Sequence, residues 1–145
     1  MITVTALPFG ALDAATSYAV WKLRQDVFVV EQQCPYGDLD GRDPEDGTRH
    51  VVLREDDLVI GYARVLDDAT VWRIGRVVLA PAARGRGLAD VVMDTALQVC
   101  PDRDVVIDAQ TPLADWYTGL GFTVDGEEFL DDGIPHLPMR RRPAG

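Results

Sequence analysis

The stretch from Arg73 to Ala109 constrains the fold of this chain more than any other part of it. An apolar run, Val71 to Leu79, is stopped by Pro81 and followed by a loop of small residues. A helix then spans about Gly87 to Val99, with Leu88, Val91, Val92, Ala96 and Val99 on its inner side, and Pro101 ends it. Asp104 to Ala109 is a second short apolar run. Strand, helix, strand implies a crossover, so these two strands pair in parallel around Val105 to Asp108.

The rest of the chain builds around that unit. Ile2 to Leu7 alternates like a short strand. Arg49 to Arg54 and Leu58 to Leu66 precede the run at Val71, and the turn-like Glu55-Asp56-Asp57 and Asp67-Asp68-Ala69 separate the three, which predicts an antiparallel meander. Asp13 can cap a helix from Ala14 to about Gln32, bent or split toward its valine-rich end. Pro112 to Leu120 reads as a helix, Phe122 to Val124 as a strand, and Ile134 to Arg140 as a final hairpin strand. The expected fold is α/β (α+β): a mixed, mostly antiparallel central sheet flanked by helices, in one domain over residues 1–145.

Charge narrows the partners. Fourteen basic against twenty-four acidic residues give a formal charge of -10, which disfavours a nucleic-acid backbone or an anionic membrane and suits a cationic partner. Lys22 is the only lysine, so the positive groups are mostly arginine forks matched to phosphate or carboxylate. Cys34 and Cys100 form no CxxC pair, and the start MITVTALPFG carries neither a basic leader nor an apolar export core. A cytoplasmic protein with two structural thiols and no metal site is expected, as a monomer or homodimer.

The segment RIGRVVLAPAARGRGLAD, Arg73 to Asp90, carries the chemistry. Gly85 and Gly87 let the backbone turn sharply next to a ligand. Their amides, with those of Arg86, Leu88 and Ala89, are among the first N–H groups of a helix and point toward an anion. Arg84 and Arg86 add bidentate positive charge. RGRG alone also fits an ordinary exposed turn, and neither GxxxxGK[ST] nor GxGxxG is present, since Asp90 stands where the last glycine of the latter belongs.

With these residues the chain resembles the GCN5-related N-acetyltransferases (GNAT). Arg84, Gly87 and Ala89 match their [QR]xxGx[GA] motif, after a strand ending in Val77, Val78 and Leu79; Tyr117 to Phe122 matches YxxxGF; and Gln110 lies seven residues before the tyrosine. RQDVFVVEQQCPYGDLDGRD, TRHVVL and DGIPH resemble the ElaA-like branch. The resemblance implies that acetyl-CoA is the cosubstrate, its pantetheine arm along Val77 to Leu79 and its pyrophosphate on Arg84 to Ala89. It also implies that Tyr117 protonates the departing thiolate. An ordinary thiol has a pKa of ~8.5 and tyrosine one of ~10, so the transfer is reasonable at neutral pH. Without the motif, Tyr117 would read as an aromatic packing on its helix.

The acceptor is expected to be a primary amine on a small molecule or peptide. An amine of pKa ~10.4 must lose a proton to attack at pH 7, a cost of roughly 4.6 kcal/mol. Glu31, His50 and His136 are the candidate proton acceptors, Glu31 first; each also has a structural reading. The loop Gln33 to Gly47, with two prolines, three glycines and five carboxylates, is expected to be exposed and to attract a cationic acceptor. As a calcium loop it fails, with Arg42 and Asp43 at the wrong places. Arg140-Arg141-Arg142 is expected to be an exposed tail. An acyl-CoA sensor with little turnover is the alternative function.

Overall fold

The fold was analysed in a computed structural model that describes residues 1–143, so the last two residues of the expected domain lie outside it. The strands are β1 (Ile2–Leu7), β2 (Arg49–Glu55), β3 (Leu58–Asp68), β4 (Val71–Leu79), β5 (Val105–Gln110), β6 (Thr123–Val124), β7 (Phe129–Asp131) and β8 (Ile134–Arg141). The helices are α1 (Ala14–Arg24), α2 (Leu88–Gln98) and α3 (Ala114–Gly119). One eight-stranded sheet runs β1-β2-β3-β4-β5-β8-β6, with β7 on β8. Every pairing is antiparallel except β4 with β5, as the crossover through α2 requires.

Helix α1 begins where Asp13 Oδ1 accepts the Thr16 amide at 2.7 Å. The irregularity expected near its end is a change of helix type. Gln25–Glu31 are π-helical, and the Gln32 and Cys34 amides donate five residues back, to the Val27 and Val29 carbonyls, each at 3.0 Å. Such wide turns are uncommon and often border functional sites. This one carries the chain from α1 into the loop at Gln33.

The sheet is covered on both faces. Val51, Leu53, Ala63, Val65 and Ile74 pack with Val92, Met93 and Ala96 of α2. Val52, Tyr62 and Val78 pack with Val20, Leu23 and Val27 on the other face. Alternation along β2 explains how Val52 faces opposite to Val51 and Leu53. Strand β4 breaks that rule, because Ile74 and Val78 are both even-numbered yet belong to different faces. The register shows why: Arg64 pairs with Gly75 and Tyr62 with Val78, so one extra residue stands in β4. Arg76 takes that bulge at φ 53°, a left-handed conformation costing a non-glycine residue about 1–2 kcal/mol.

The loop Gln33 to Gly47 is not the fully exposed segment its composition predicts. Asp38 and Asp43 are buried, because Arg24 of α1, itself 0% exposed, needs counterions. Arg24 Nε donates to Asp38 at 2.8 Å and Nη1 to Asp43 at 2.7 Å. Arg64 Nη2 donates to Asp40 at 2.7 Å, and Arg76 Nη2 reaches Asp40 at 3.3 Å and the Asp38 carbonyl at 3.1 Å. Three of the five carboxylates thus neutralise three arginines, and the expected attractor for a cation is largely spent inside the fold. The expected terminal tail is also corrected. Arg140 and Arg141 belong to β8, where Arg140 pairs with Asp104 at 2.9 Å and Asp125 at 3.1 Å.

Candidate active site

The site originates in the sheet. β4 and β5 pair only at Trp72 with Val105 and Arg73 with Val106, then separate. A cleft of about 350 Å³ fills the gap, with Val77, Val78 and Leu79 on one wall and Ile107 and Gln110 on the other. The Ala80 amide donates to Ile60 of β3 at 2.8 Å, so alternation turns the backbone of Leu79 the other way, toward the gap. Its carbonyl accepts there from Arg84, at 3.3 Å from Nε and 3.2 Å from Nη2.

Tyr117 stands in the same cleft, carried by α3 and held by Trp116 at 4.8 Å and Phe122 at 5.8 Å between ring centroids. It is 6% exposed, and its hydroxyl has no hydrogen-bond partner among the described residues. Burial pushes its pKa up to about 12, so the phenol stays protonated at neutral pH. Gln110 lies opposite and donates to Gln32 at 3.2 Å, a bridge from β5 to the end of the π-helical segment.

Just beyond the C-terminal end of β4, Gly85 and Gly87 adopt φ 75° and 73°, and a Cβ at either would meet nothing within 4 Å. Gly87 is the N-cap of α2 and offers no side chain to its first amides, which leaves them for a ligand. Arg86 pairs on the surface with Glu55 at 2.6 Å. The Asp90 carboxylate, a possible repellent for phosphate, is turned to Trp116 Nε1 at 2.7 Å.

The three proton-acceptor candidates part company. His50 is 0% exposed and does not line the cleft. Its Nε2–H donates to the Asp43 carbonyl at 3.0 Å, and Nδ1 accepts from Tyr62; burial holds its pKa below the usual histidine value. The structure does not bring His50 into the cleft with the other candidates. Glu31 lies beside the cleft, bound in a two-pronged pair by Arg84 at 2.7 and 2.8 Å. That hydrogen bonding holds its carboxyl below the ordinary range, making it a poorer base. His136 does line the cleft. Its Nδ1–H donates to the Ile134 carbonyl at 2.7 Å and its ring stacks on Phe129 at 5.7 Å, with Nε2 left without a partner among the described residues.

Residue types alone did not reveal the wall beside His136. Cys34 Sγ lies 3.5 Å from the Asp132 carbonyl of the β7–β8 turn, and Tyr36 lies under the Arg76 guanidinium at 5.5 Å from its ring centroid. Cys34, Tyr36, Arg76 and Asp132 all line the cleft. An arginine inside each apolar pattern, at 24 and 64, was the available signal that the acidic loop folds inward to meet them. Cys100 lies away from the cleft, its pKa pushed up to about 12 by burial. Among the described residues no group of three or more His, Cys, Asp or Glu could hold a metal, and no helix is long and apolar enough to cross a membrane.

Known proteins share this architecture. A family model described as "Acetyltransferase (GNAT) domain" matches residues 17–143. Protein ElaA of Escherichia coli K12 is 38% identical over 97% of this chain and 97% of its own length. A UPF0039 protein of Mycobacterium tuberculosis H37Rv is 45% identical over 92% of this chain and 89% of its own. The crystal structure of Escherichia coli ElaA superposes with a TM-score of 0.92 over 98% of this chain and 100% of that one, at 38% identity. An acyl-CoA N-acyltransferase from Pseudomonas aeruginosa gives 0.91 over 96% and 99%, also at 38% identity. With a family model that spans residues 17–143 and relatives 38% identical over nearly their whole length and fold, the chain belongs to the GNAT acetyltransferase family, in its ElaA-like branch.

Proposed function

We propose that this protein transfers the acetyl group of acetyl-CoA to a primary amine by direct attack. The observation that carries the reading is Tyr117: a buried ring whose protonated hydroxyl has no partner among the described residues and opens onto the cleft, in a gap whose opposite wall presents the backbone of Leu79. The cleft suits the cosubstrate. A pantetheine arm can lie along Val77 to Leu79 like an added strand, with the amide at Leu79 polarising the thioester carbonyl. Arg84, Gly85, Arg86, Gly87, Leu88 and Ala89 supply charge and amides for the pyrophosphate. Gln110 orients the arm from β5. As the amine nitrogen bonds to the carbonyl carbon and the C–S bond breaks, the Tyr117 O–H gives its proton to sulfur. The amine's proton leaves through His136 Nε2 or water, which the cleft favours over Glu31.

Acetyl-CoA consumption on a panel of polyamines, amino sugars, amino acids and peptides tests the reading. Turnover on at least one amine is expected. Tight CoA binding with no acetylated product on the whole panel would support a sensor instead. Tyr117→Phe should lower kcat by about 10²-fold or more with CoA affinity retained; unchanged kcat where chemistry limits the rate removes Tyr117 from the mechanism.

A further inference from the structure

All three guanidinium nitrogens of Arg84 are engaged by other groups of the chain. Nη1 and Nη2 grip the two Glu31 oxygens at 2.7 and 2.8 Å, while Nε and Nη2 cap the Leu79 carbonyl at 3.3 and 3.2 Å. The Leu79 carbonyl and Arg84 itself both have a stake in the cosubstrate. The Leu79 carbonyl belongs to the strand edge along which a pantetheine arm would lie, and Arg84 leads the glycine turn at the N-terminus of α2. A phosphate arriving at that turn meets a guanidinium whose charge is already matched by a carboxylate 53 residues away in sequence. Side-chain exposures of 42% for Arg84 and 44% for Glu31 leave the pair in reach of water and ligand, so it can exchange partners in a way a buried pair cannot.

We propose that Glu31 is a positioning residue for the cosubstrate: it latches Arg84 over the open edge of β4 and competes with the CoA phosphates for the same guanidinium. The inference rests on the acyltransferase reading and replaces proton removal as the work of Glu31. When CoA binds, Arg84 releases Leu79 and trades carboxylate for phosphate, and Glu31 sets how much affinity that trade costs.

The test is calorimetric titration of CoA into the wild type, Glu31→Gln, Arg84→Gln and the double variant at low salt. Glu31→Gln should tighten CoA binding roughly two- to fivefold, the range an exposed ion pair can supply. The same substitution in the Arg84→Gln background should change nothing, because the effect passes through Arg84. Unchanged or weaker binding by Glu31→Gln overturns the latch, and so does an equal gain without Arg84, which would mean simple removal of a negative charge. If CoA binds normally to Glu31→Gln and acetyl transfer collapses, Glu31 is the base after all. A wild type that does not bind CoA at all defeats the acyltransferase reading itself, a result distinct from each of these.

Discussion

Two sets of arginine–carboxylate pairs flank the cleft, built from the same chemistry to opposite ends. Under the Gln33–Gly47 loop, Arg24 and Arg64 are 0% and 3% exposed and share Asp38, Asp40 and Asp43. Around the glycine turn, Arg84–Glu31 and Arg86–Glu55 sit at the surface. Desolvation makes the difference. Burial opposes the charge on Arg24, yet the hydrogen bond to Asp43 and the nearby Asp38 hold its pKa above the usual arginine value. Asp40 likewise lies below the carboxylate range, since Arg64 outweighs the effect of burial. Such groups cannot part without leaving a bare charge in the interior. The exposed pairs lose little on parting, which suits the phosphate-binding role proposed for Arg84 and Arg86.

Breaking each set should show the contrast. Arg24→Met, which removes the fully buried partner of Asp38 and Asp43 and leaves them to Arg76 and Arg64, should cost about 3–5 kcal/mol of stability, read as a fall in the urea midpoint, whereas Arg86→Gln should cost at most ~1 kcal/mol. Equal losses would erase the distinction. At the glycine turn, Gly87→Val puts a β-branched residue at φ 73° and disturbs the first amides of α2. CoA affinity should fall at least roughly tenfold, the worth of one or two charge-assisted hydrogen bonds, with the protein still folded by circular dichroism. Retained affinity would move the phosphate elsewhere. The smallest effect is in pH. His50 has a folded pKa depressed below 6.5, so its contribution is complete above that pH and fades as pH falls toward the folded value, by up to about 1.4 kcal/mol per unit. Unfolding midpoints at pH 7.5 and 5.5 should differ more in the wild type than in His50→Gln.

The sheet, the crossover and the strand–turn–helix along the cleft were legible because their signals are local. An apolar run, a proline and two glycines within 18 residues dictate a strand, a turn and a helix start. The folding of the Gln33–Gly47 loop was not. Asp38 and Asp43 look like solvated loop carboxylates until Arg24, 14 and 19 residues earlier, folds against them, and nothing local distinguishes the two situations. His50 read as a candidate base for the same reason, its burial being fixed by Tyr62 on the neighbouring strand. The bulge at Arg76 was hidden inside a run that reads as continuous strand, since an extra residue leaves composition unchanged.

That bulge is a frameshift written into the sheet. Upstream of Arg76 the strand is read by α2 in one phase; downstream, Val78 is read by α1 in what would otherwise be the wrong one. Two hydrophobic layers therefore share a strand whose length is fixed to the residue. Neither layer can drift in register to absorb a change in the other, and the wall facing the cleft, which includes Val78, inherits that rigidity.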